Sequence, residues 1–250
     1  MNSTEKIVSP SYIRNKTIIC FIFFFLFIGG CIAGWKWLQH QPKEAGALVP
    51  LRKVLNANEL IFGNIYSTTN LSKTFPVKEA AIRVRVNGDA GLSNNFDTAS
   101  WRLQLVKSEG DTLRITLDDI KKLPKTEVVF NFKCIEGWSQ ITHWGGVRFS
   151  DFAKHYGLDE QTHMQFTELI TPDKGYYVGI DNRSMMHMQT ILCYEMNGAA
   201  LPMNQGYPLR LIIPVKYGVK HLKRIGTIYF SNKRPPDYWY ERGYDYYCGL

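Results

Sequence analysis

The sequence predicts an α+β fold, with mixed, mainly antiparallel sheets and short helices, preceded by one apolar N-terminal helix. Three observations predict it. Segments patterned as strands outnumber those patterned as helices, and the helical ones are short. No strand–helix–strand rhythm and no repeat runs along the chain, which argues against a doubly wound parallel sheet. Near the N-terminus, residues 17–34 form an uncharged apolar run with no polar face.

That run, TIICFIFFFLFIGGCIAG, has Arg14 and Lys16 before it and Lys36 after it. It is close to the lower length for a spanning helix and longer than most signal-peptide apolar cores. Residues 17–37 are therefore expected to form a transmembrane anchor or a lipoprotein-type signal. Residues 1–16 become a cytoplasmic arm, 38–50 a linker, and 51–250 one domain. Both flanks are basic, so charge orients the helix weakly; the short arm favours a cytoplasmic N-terminus and an exported domain. The stretch Ile28-Gly29-Gly30-Cys31 matches a lipoprotein processing site, so an uncleaved anchor and a lipidated Cys31 stand as alternatives. Either way the lipid bilayer is a partner.

Along the domain, LRKVLNANELIFGNIY reads as a short amphipathic helix. AAIRVRVNG alternates apolar and basic residues like a half-buried strand, closed by Asn87-Gly88. WRLQLVKSEGDTLRITL predicts a hairpin around Glu109-Gly110-Asp111. Thr116 caps a short helix that Pro124 ends. EVVFNFKC is a strand, and FSDFAKHYGL a helix with Ser150 as N-cap and Gly157 as its stop. Further strands lie in MQFTELIT, TILCYEMNG, YPLRLIIP and RIGTIYFS, with Asn197-Gly198 as a hairpin turn.

Apolar residues make up 45% of the 250 and charged ones 21%, which excludes wholesale disorder. The net charge of +8 owes much to Lys216, Lys220, Lys223, Arg224, Lys233 and Arg234. Such a cluster suits a phosphate-bearing ligand or an anionic surface; no nucleic-acid-binding motif accompanies it, so no nucleic-acid partner is expected. The five cysteines, Cys20, Cys31, Cys134, Cys193 and Cys248, show no zinc or haem spacing. Cys134 stands alone at the end of an apolar run, just before a turn. Cys193 is expected in the core, and His143 is the histidine nearest Cys134 in the chain and hence the one candidate for a cleft.

FKCIEGWS, then ILCYEMNGAALPMNQGYPLRLIIPVKYGVKHLKRIGTIYFS, then RPPDYW resemble the molybdopterin-binding domain of the sulfite oxidase family. The resemblance covers roughly residues 80–240 and is nearest to the bacterial branch, the catalytic subunits of periplasmic protein-methionine-sulfoxide reductase. It implies a sulfite-oxidase-type fold, Mo-molybdopterin as cofactor, and Cys134 as the one protein ligand to molybdenum. One thiolate suffices because the pterin dithiolene supplies its own sulfurs. By the same resemblance Arg210 and Lys220 lie along the pterin and its phosphate, approached by the backbone of Gly218 and Val219. Gln205 stands where relatives have His or Asn beside the pterin. Asn87 answers to an upstream Asn contact, and Glu168 or Thr167 to a further one.

Sulfite oxidases proper place an arginine-rich stretch after the metal cysteine. Here the stretch is Ile135-Glu136-Gly137-Trp138-Ser139, and a carboxylate at Glu136 opposes an anionic substrate. The expected activity is two-electron oxygen-atom transfer, with a small-molecule or protein sulfoxide, or a similar neutral oxo-compound, as substrate. No haem-ligating or flavin-binding pattern is present. A membrane-embedded b-type cytochrome or another quinone-linked carrier is therefore the expected electron partner, at a bacterial inner membrane with the domain in the periplasm. The alternative class is a membrane-tethered binding module that kept the fold and lost the metal; Cys134, Arg210 and Lys220 together argue against it.

Overall fold

The computed structural model describes residues 8–65, 69–86 and 88–250. Helix α1, Pro10–Gln39, begins at Ser9, whose hydroxyl accepts the Tyr12 amide, and has proline at its first position. It contains the expected 17–37 segment and extends it at both ends, with no buried residue. Among the described helices it alone is long and apolar enough to cross a membrane.

The stretch expected as a linker is ordered instead. Strands β1, Lys43–Glu44, and β2, Ala47–Leu48, pair as a hairpin, and α2, Val49–Ile65, follows at once. Arg52 is the reason. Its buried guanidinium donates to the carbonyls of Glu44 and Ala45 in the hairpin and of Tyr240 and Tyr244 near the C-terminus. One side chain so satisfies four backbone acceptors that a free linker would leave to water.

Ten further strands build two sheets. They are β3 (Leu103–Ser108), β4 (Asp111–Ile115), β5 (Lys125–Lys133), β6 (Ser139–Arg148), β7 (Phe166–Ile170), β8 (Tyr177–Asp181), β9 (Ile191–Met196), β10 (Ala199–Ala200), β11 (Arg210–Ile212) and β12 (Thr227–Ser231). One sheet runs β10-β9-β6-β5 with β11 also on β9, antiparallel throughout. The other runs β4-β3-β12-β7-β8, and its β3–β12 pair is parallel. The larger core, with Leu103, Leu105, Phe149, Leu169, Leu211 and Ile228, draws on both sheets. A second cluster, with Phe130, Phe132, Trp144, Cys193 and Ile212, packs on β5, β6, β9 and β11. Cys193 is thus a core residue, as expected.

Short helices α3 (Leu117–Lys121), α4 (Phe149–His155), α5 (Asp159–Thr162) and α6 (Asn182–Met185) fill the connections. Thr116 caps α3 in a reciprocal box with Asp119. Helix α4 starts one residue before the expected Ser150 cap; Arg148 occupies the N-cap position without a side-chain bond. The predicted hairpins at 109–111 and 197–198 are present, with Asn197 and Gly198 both at positive φ.

Two differences matter for the site. Among its described residues, 80–86 and 88, the alternating stretch is not a strand. Its backbone is held by side-chain amides: Gln140 bonds Arg83 and Arg85, Asn197 bonds Ala81 and Ile82, and Gln205 bonds Val84 and Arg85. These amides replace a partner strand, and the period of two is not kept in burial: Ile82 is 93% exposed and Val86 45%. The long strand β6, conversely, carries no strand signal in the sequence because Gly145-Gly146 interrupts it. There the pairing with β9 shifts register, and a Cβ on Gly146 would lie 2.2 Å from the Leu192 carbonyl oxygen.

Candidate active site

Strands β5 and β6 pair from Lys125 against Val147 to Lys133 against Ser139, and the loop from Cys134 to Trp138 closes them. The Cys134 amide donates to the Trp138 carbonyl at 2.9 Å, and the Gly137 amide to the Cys134 carbonyl at 3.1 Å. Gly137 takes φ +89, which glycine adopts without steric cost. The thiol thus stands on a two-bond turn at the end of a long hairpin. Burial pushes the Cys134 thiol up in pKa; the charge of Glu136 adds to this and that of Arg85 opposes it.

Cys134 lines a hollow with Glu136, Tyr176, Gly218, Val219 and Lys223. A second hollow is lined by Arg85, Phe132, Trp138, Trp144, Gln205 and Arg210. Gly218, His221 and Lys223 belong to both walls, so the two hollows adjoin as one cleft. Side-chain alternation sets the wall: Gln140, Thr142 and Trp144 point to one face of β6, beside Phe130 and Phe132 of β5. At Gly218 the backbone meets the Phe132 ring so closely that an added Cβ would sit 2.8 Å from it.

The polar end is built around Arg210. Its guanidinium donates to the Gln205 backbone oxygen at 3.0 Å and to Oε1 at 2.8 Å, and lies 4.5 Å from the Trp144 ring. Arg210 Nε is buried and has no partner, and among the described residues no carboxylate pairs with this cation. Burial lowers its pKa to about 10. Lys223 is pulled down to about 8, first by burial and then by Arg210. His221 is held down to about 3, again by burial first, with Arg210 adding to it. Its Nδ1 accepts the Ile213 amide and its Nε2 faces the Lys216 carbonyl, a pair that only the neutral Nε2–H tautomer satisfies.

A family model for the oxidoreductase molybdopterin binding domain matches residues 90–239. The chain belongs to this family. A protein of Azospira oryzae that carries the name protein-methionine-sulfoxide reductase subunit YedZ1 is 35% identical over 194 residues, covering 77% of this chain and 73% of that protein. The catalytic subunit MsrP of protein-methionine-sulfoxide reductase from Campylobacter jejuni is 31% identical over 164 residues, covering 59% of this chain and 54% of its own. Mitochondrial sulfite oxidase of Mus musculus is 28% identical over 177 residues, 60% of this chain and 32% of that one. The chain thus spans about half of MsrP and a third of the sulfite oxidase. As a family member it is a molybdopterin-binding oxidoreductase whose cofactor is Mo-molybdopterin.

The residues present fit that group. A buried cation with no counter-charge and an orphaned Nε costs several kcal/mol, which an incoming phosphate relieves. The Gly218 and Val219 amides open a 3₁₀ turn, Gly218–Lys220, and have no acceptor within it. Among the described residues no cluster of three His, Cys, Asp or Glu could hold a metal alone. A centre that needs one protein sulfur suits that pattern.

Of the predicted site residues, Cys134, Glu136, Gly218, Val219, Gln205 and Arg210 come together around the cleft. Lys220 does not bring its charge there: its ammonium is buried against Asp237 and the Gly179 carbonyl. Asn87 lies outside the described residues, although its neighbour Gly88 lines the Cys134 hollow. Thr167 and Glu168 sit on β7 in the other sheet, where Thr167 bonds Asn182. His143 points to the opposite face of β6 from Thr142 and Trp144 and bonds Glu127 at 3.2 Å. The sequence reading missed Arg85, His221 and Lys223. Lys223 stood in the noted basic cluster, and His221 directly follows KYGVK; adjacency to that motif was the available signal.

Proposed function

We propose that this protein reduces a sulfoxide, or a similar neutral oxo-compound, while tethered to a bacterial inner membrane by α1 with its domain in the periplasm. Electrons come from a membrane-embedded b-type cytochrome or another quinone-linked carrier. One observation carries the proposal: a single cleft with a buried thiol, Cys134, at one end and an uncompensated buried cation, Arg210, at the other. That is the polarity a cofactor with a soft-metal end and a phosphate end requires. The names of the Azospira and Campylobacter relatives support the sulfoxide substrate.

When bound, molybdopterin supplies two-electron oxygen-atom transfer. The chain's part is binding and exclusion. Arg210 and Lys223 would hold the phosphate with charge-assisted hydrogen bonds, and the Gly218 and Val219 amides would add neutral ones. Gln205 Oε1 holds the guanidinium fork in place, and Trp144 packs beneath it. Cys134 would be the one protein sulfur to hold the metal, and burial disfavours its ionised form while the thiol is free. Tyr176 closes the floor, its hydroxyl donating to the Val219 carbonyl at 2.5 Å.

Protein made in a cofactor-competent host should hold about one molybdenum per chain, as a single thiolate ligand implies. It should reduce methionine sulfoxide with a reduced viologen dye. Metal-free protein from such a host, or metal-replete protein inert towards sulfoxides, would sink the proposal.

A further inference from the structure

Helix α2 is turned inside out. Leu51, Val54, Ile61, Phe62 and Ile65 recur at helical spacing along one arc and are each between 47% and 68% exposed, with Phe62 and Ile65 at the arc's edge also bordering a hollow shared with Val215, Tyr217 and Tyr247 of the domain. The face turned to the domain, at whose solvent edge lie Lys53 and Leu60, the latter 70% exposed, carries Arg52 and Glu59. Arg52 bonds its four carbonyls there, and Glu59 pairs with Arg234 at 2.5 Å. A surface helix of a soluble protein shows the reverse arrangement.

What covers the outer arc follows from where α2 stands in the chain. Only residues 40–48 separate it from α1, and part of that stretch is folded back as the β1–β2 hairpin. Fully extended, so short a segment reaches at most about 30 Å, and the hairpin shortens it further. Trp35 and Trp37, each 60% exposed, flank Lys36 at the end of α1. Amphipathic rings beside a basic residue mark the level of the bilayer surface. Exposed Lys43 and Lys53 add positive charge on either side of the hairpin, suited to anionic headgroups.

We infer that α2 is an interfacial helix, its outer arc seated among the headgroups and upper acyl chains of an anionic bilayer. The inference rests on the anchoring by α1 proposed above. The arc offers one aromatic side chain and no arginine, whereas protein interfaces centre on Trp, Tyr and Arg anchors, so lipid is the better match. Arg52 carries the consequence inward. It holds α2 to the Tyr240 and Tyr244 carbonyls, and Tyr244 lines the Cys134 hollow. Seating α2 therefore fixes the cleft's orientation to the membrane.

Full-length protein in phosphatidylcholine–phosphatidylglycerol vesicles tests this. In a Cys20→Ala, Cys31→Ala background, where the three remaining cysteines are buried, a fluorophore is placed on Ile61→Cys or on Lys122→Cys. Native Cys20, in a Cys31→Ala chain, reports on α1. Lipids spin-labelled near the headgroup should quench the Ile61 label about threefold more than the exposed Lys122 label, as an interfacial helix requires. Lipids labelled at mid-chain should quench Cys20. Equal quenching at 61 and 122 with Cys20 still quenched overturns the interfacial helix and leaves the anchor standing. No quenching at either Cys20 or Ile61 overturns both. An Ile61 label shielded from lipid and from aqueous quencher alike means a protein covers the arc, which also overturns it.

Discussion

Asp237 accepts the ammonium of Lys220 at 2.5 Å, with both side chains 2% exposed. The same carboxylate takes the Gly179 and Tyr240 amides, so it joins β8 to the C-terminal segment beneath the cleft. Lys220→Ala strips the charge from that pair and leaves a buried carboxylate. The expected loss is about 3–5 kcal/mol of stability, read from urea unfolding. Replacing both partners, Lys220→Met with Asp237→Leu, should cost less than the single change. A variant that unfolds like the parent would place Lys220 outside the structural frame.

Cys134→Ser should remove molybdenum and activity while changing the unfolding midpoint little. The hydroxyl is nearly isosteric with the thiol but a harder and far weaker acid, so it does not replace a thiolate on a soft metal. Metal analysis beside circular dichroism separates the two effects. Molybdenum retained at parental stoichiometry would remove Cys134 from the ligand role.

Arg210→Gln should act on the phosphate. Charge-assisted hydrogen bonds are worth about 1.5–3 kcal/mol, so the cofactor-free variant should bind inorganic phosphate about 10- to 150-fold more weakly. Binding to the parent should also weaken as pH rises through about 8, where Lys223 loses its proton. Calorimetric titration at pH 7 and pH 9 measures both. Phosphate affinity indifferent to Arg210 would dissociate the buried cation from the cofactor.

His221 gives the fold an acid limit. Folded, it stays neutral down to about 3, first because it is buried; unfolded, it takes a proton near the ordinary 6.5. Between those values the unfolded chain binds the extra proton, so this stability is complete above about 6.5 and drains away as pH falls. At pH 4.5, two units below the unfolded value, the loss should be about 2–3 kcal/mol. His221→Gln should start from a lower stability at pH 7 and fall less between pH 7 and 4.5. Parallel curves for the two proteins would remove His221 as the cause.

How much of this was legible in the sequence depends on whether a residue's partners are local. Thr116 with Asp119, and Asn197 with Gly198, are short-range devices, and both appear where their spacing put them. Cys134 was legible through its motif and its place at a strand end. Lys220 was misplaced because Asp237, seventeen residues on in sequence, claims its charge, and no pattern announces that pairing. The stretch 80–88 alternates apolar and basic residues in sequence, but the amides that hold it come from Gln140, Asn197 and Gln205, far along the chain, and leave Ile82 and Val86 exposed. Arg52 looked like one basic residue in a helix; only the fold shows it tying four carbonyls together. Long-range polar satisfaction was the invisible part.

Glu136 lines the Cys134 hollow and its carboxylate accepts the Trp138 indole N–H at 3.1 Å. Among the described residues no cation lies within ion-pair distance of it. Arg85 is turned onto the Trp138 ring instead, 4.7 Å from its centre. Once a phosphate occupies Arg210 and Lys223, the positive end of the cleft is neutralised and Glu136 and Arg85 remain the charges that act on the thiol, the carboxylate more strongly. A doubly charged anion such as sulfite is then repelled where it must react, more strongly in a cleft than in open water. A neutral sulfoxide feels no such penalty. On one metal-replete preparation, sulfoxide reduction should therefore be readily measured and sulfite oxidation slow. Glu136→Gln should raise sulfite kcat/KM about tenfold, the effect of removing roughly 1.4 kcal/mol of repulsion, and leave sulfoxide reduction nearly unchanged. Efficient sulfite oxidation by the unmodified protein would overturn the assignment of a neutral substrate. An unchanged sulfite rate in the variant would show instead that selectivity comes from the shape of the cleft and not from this carboxylate.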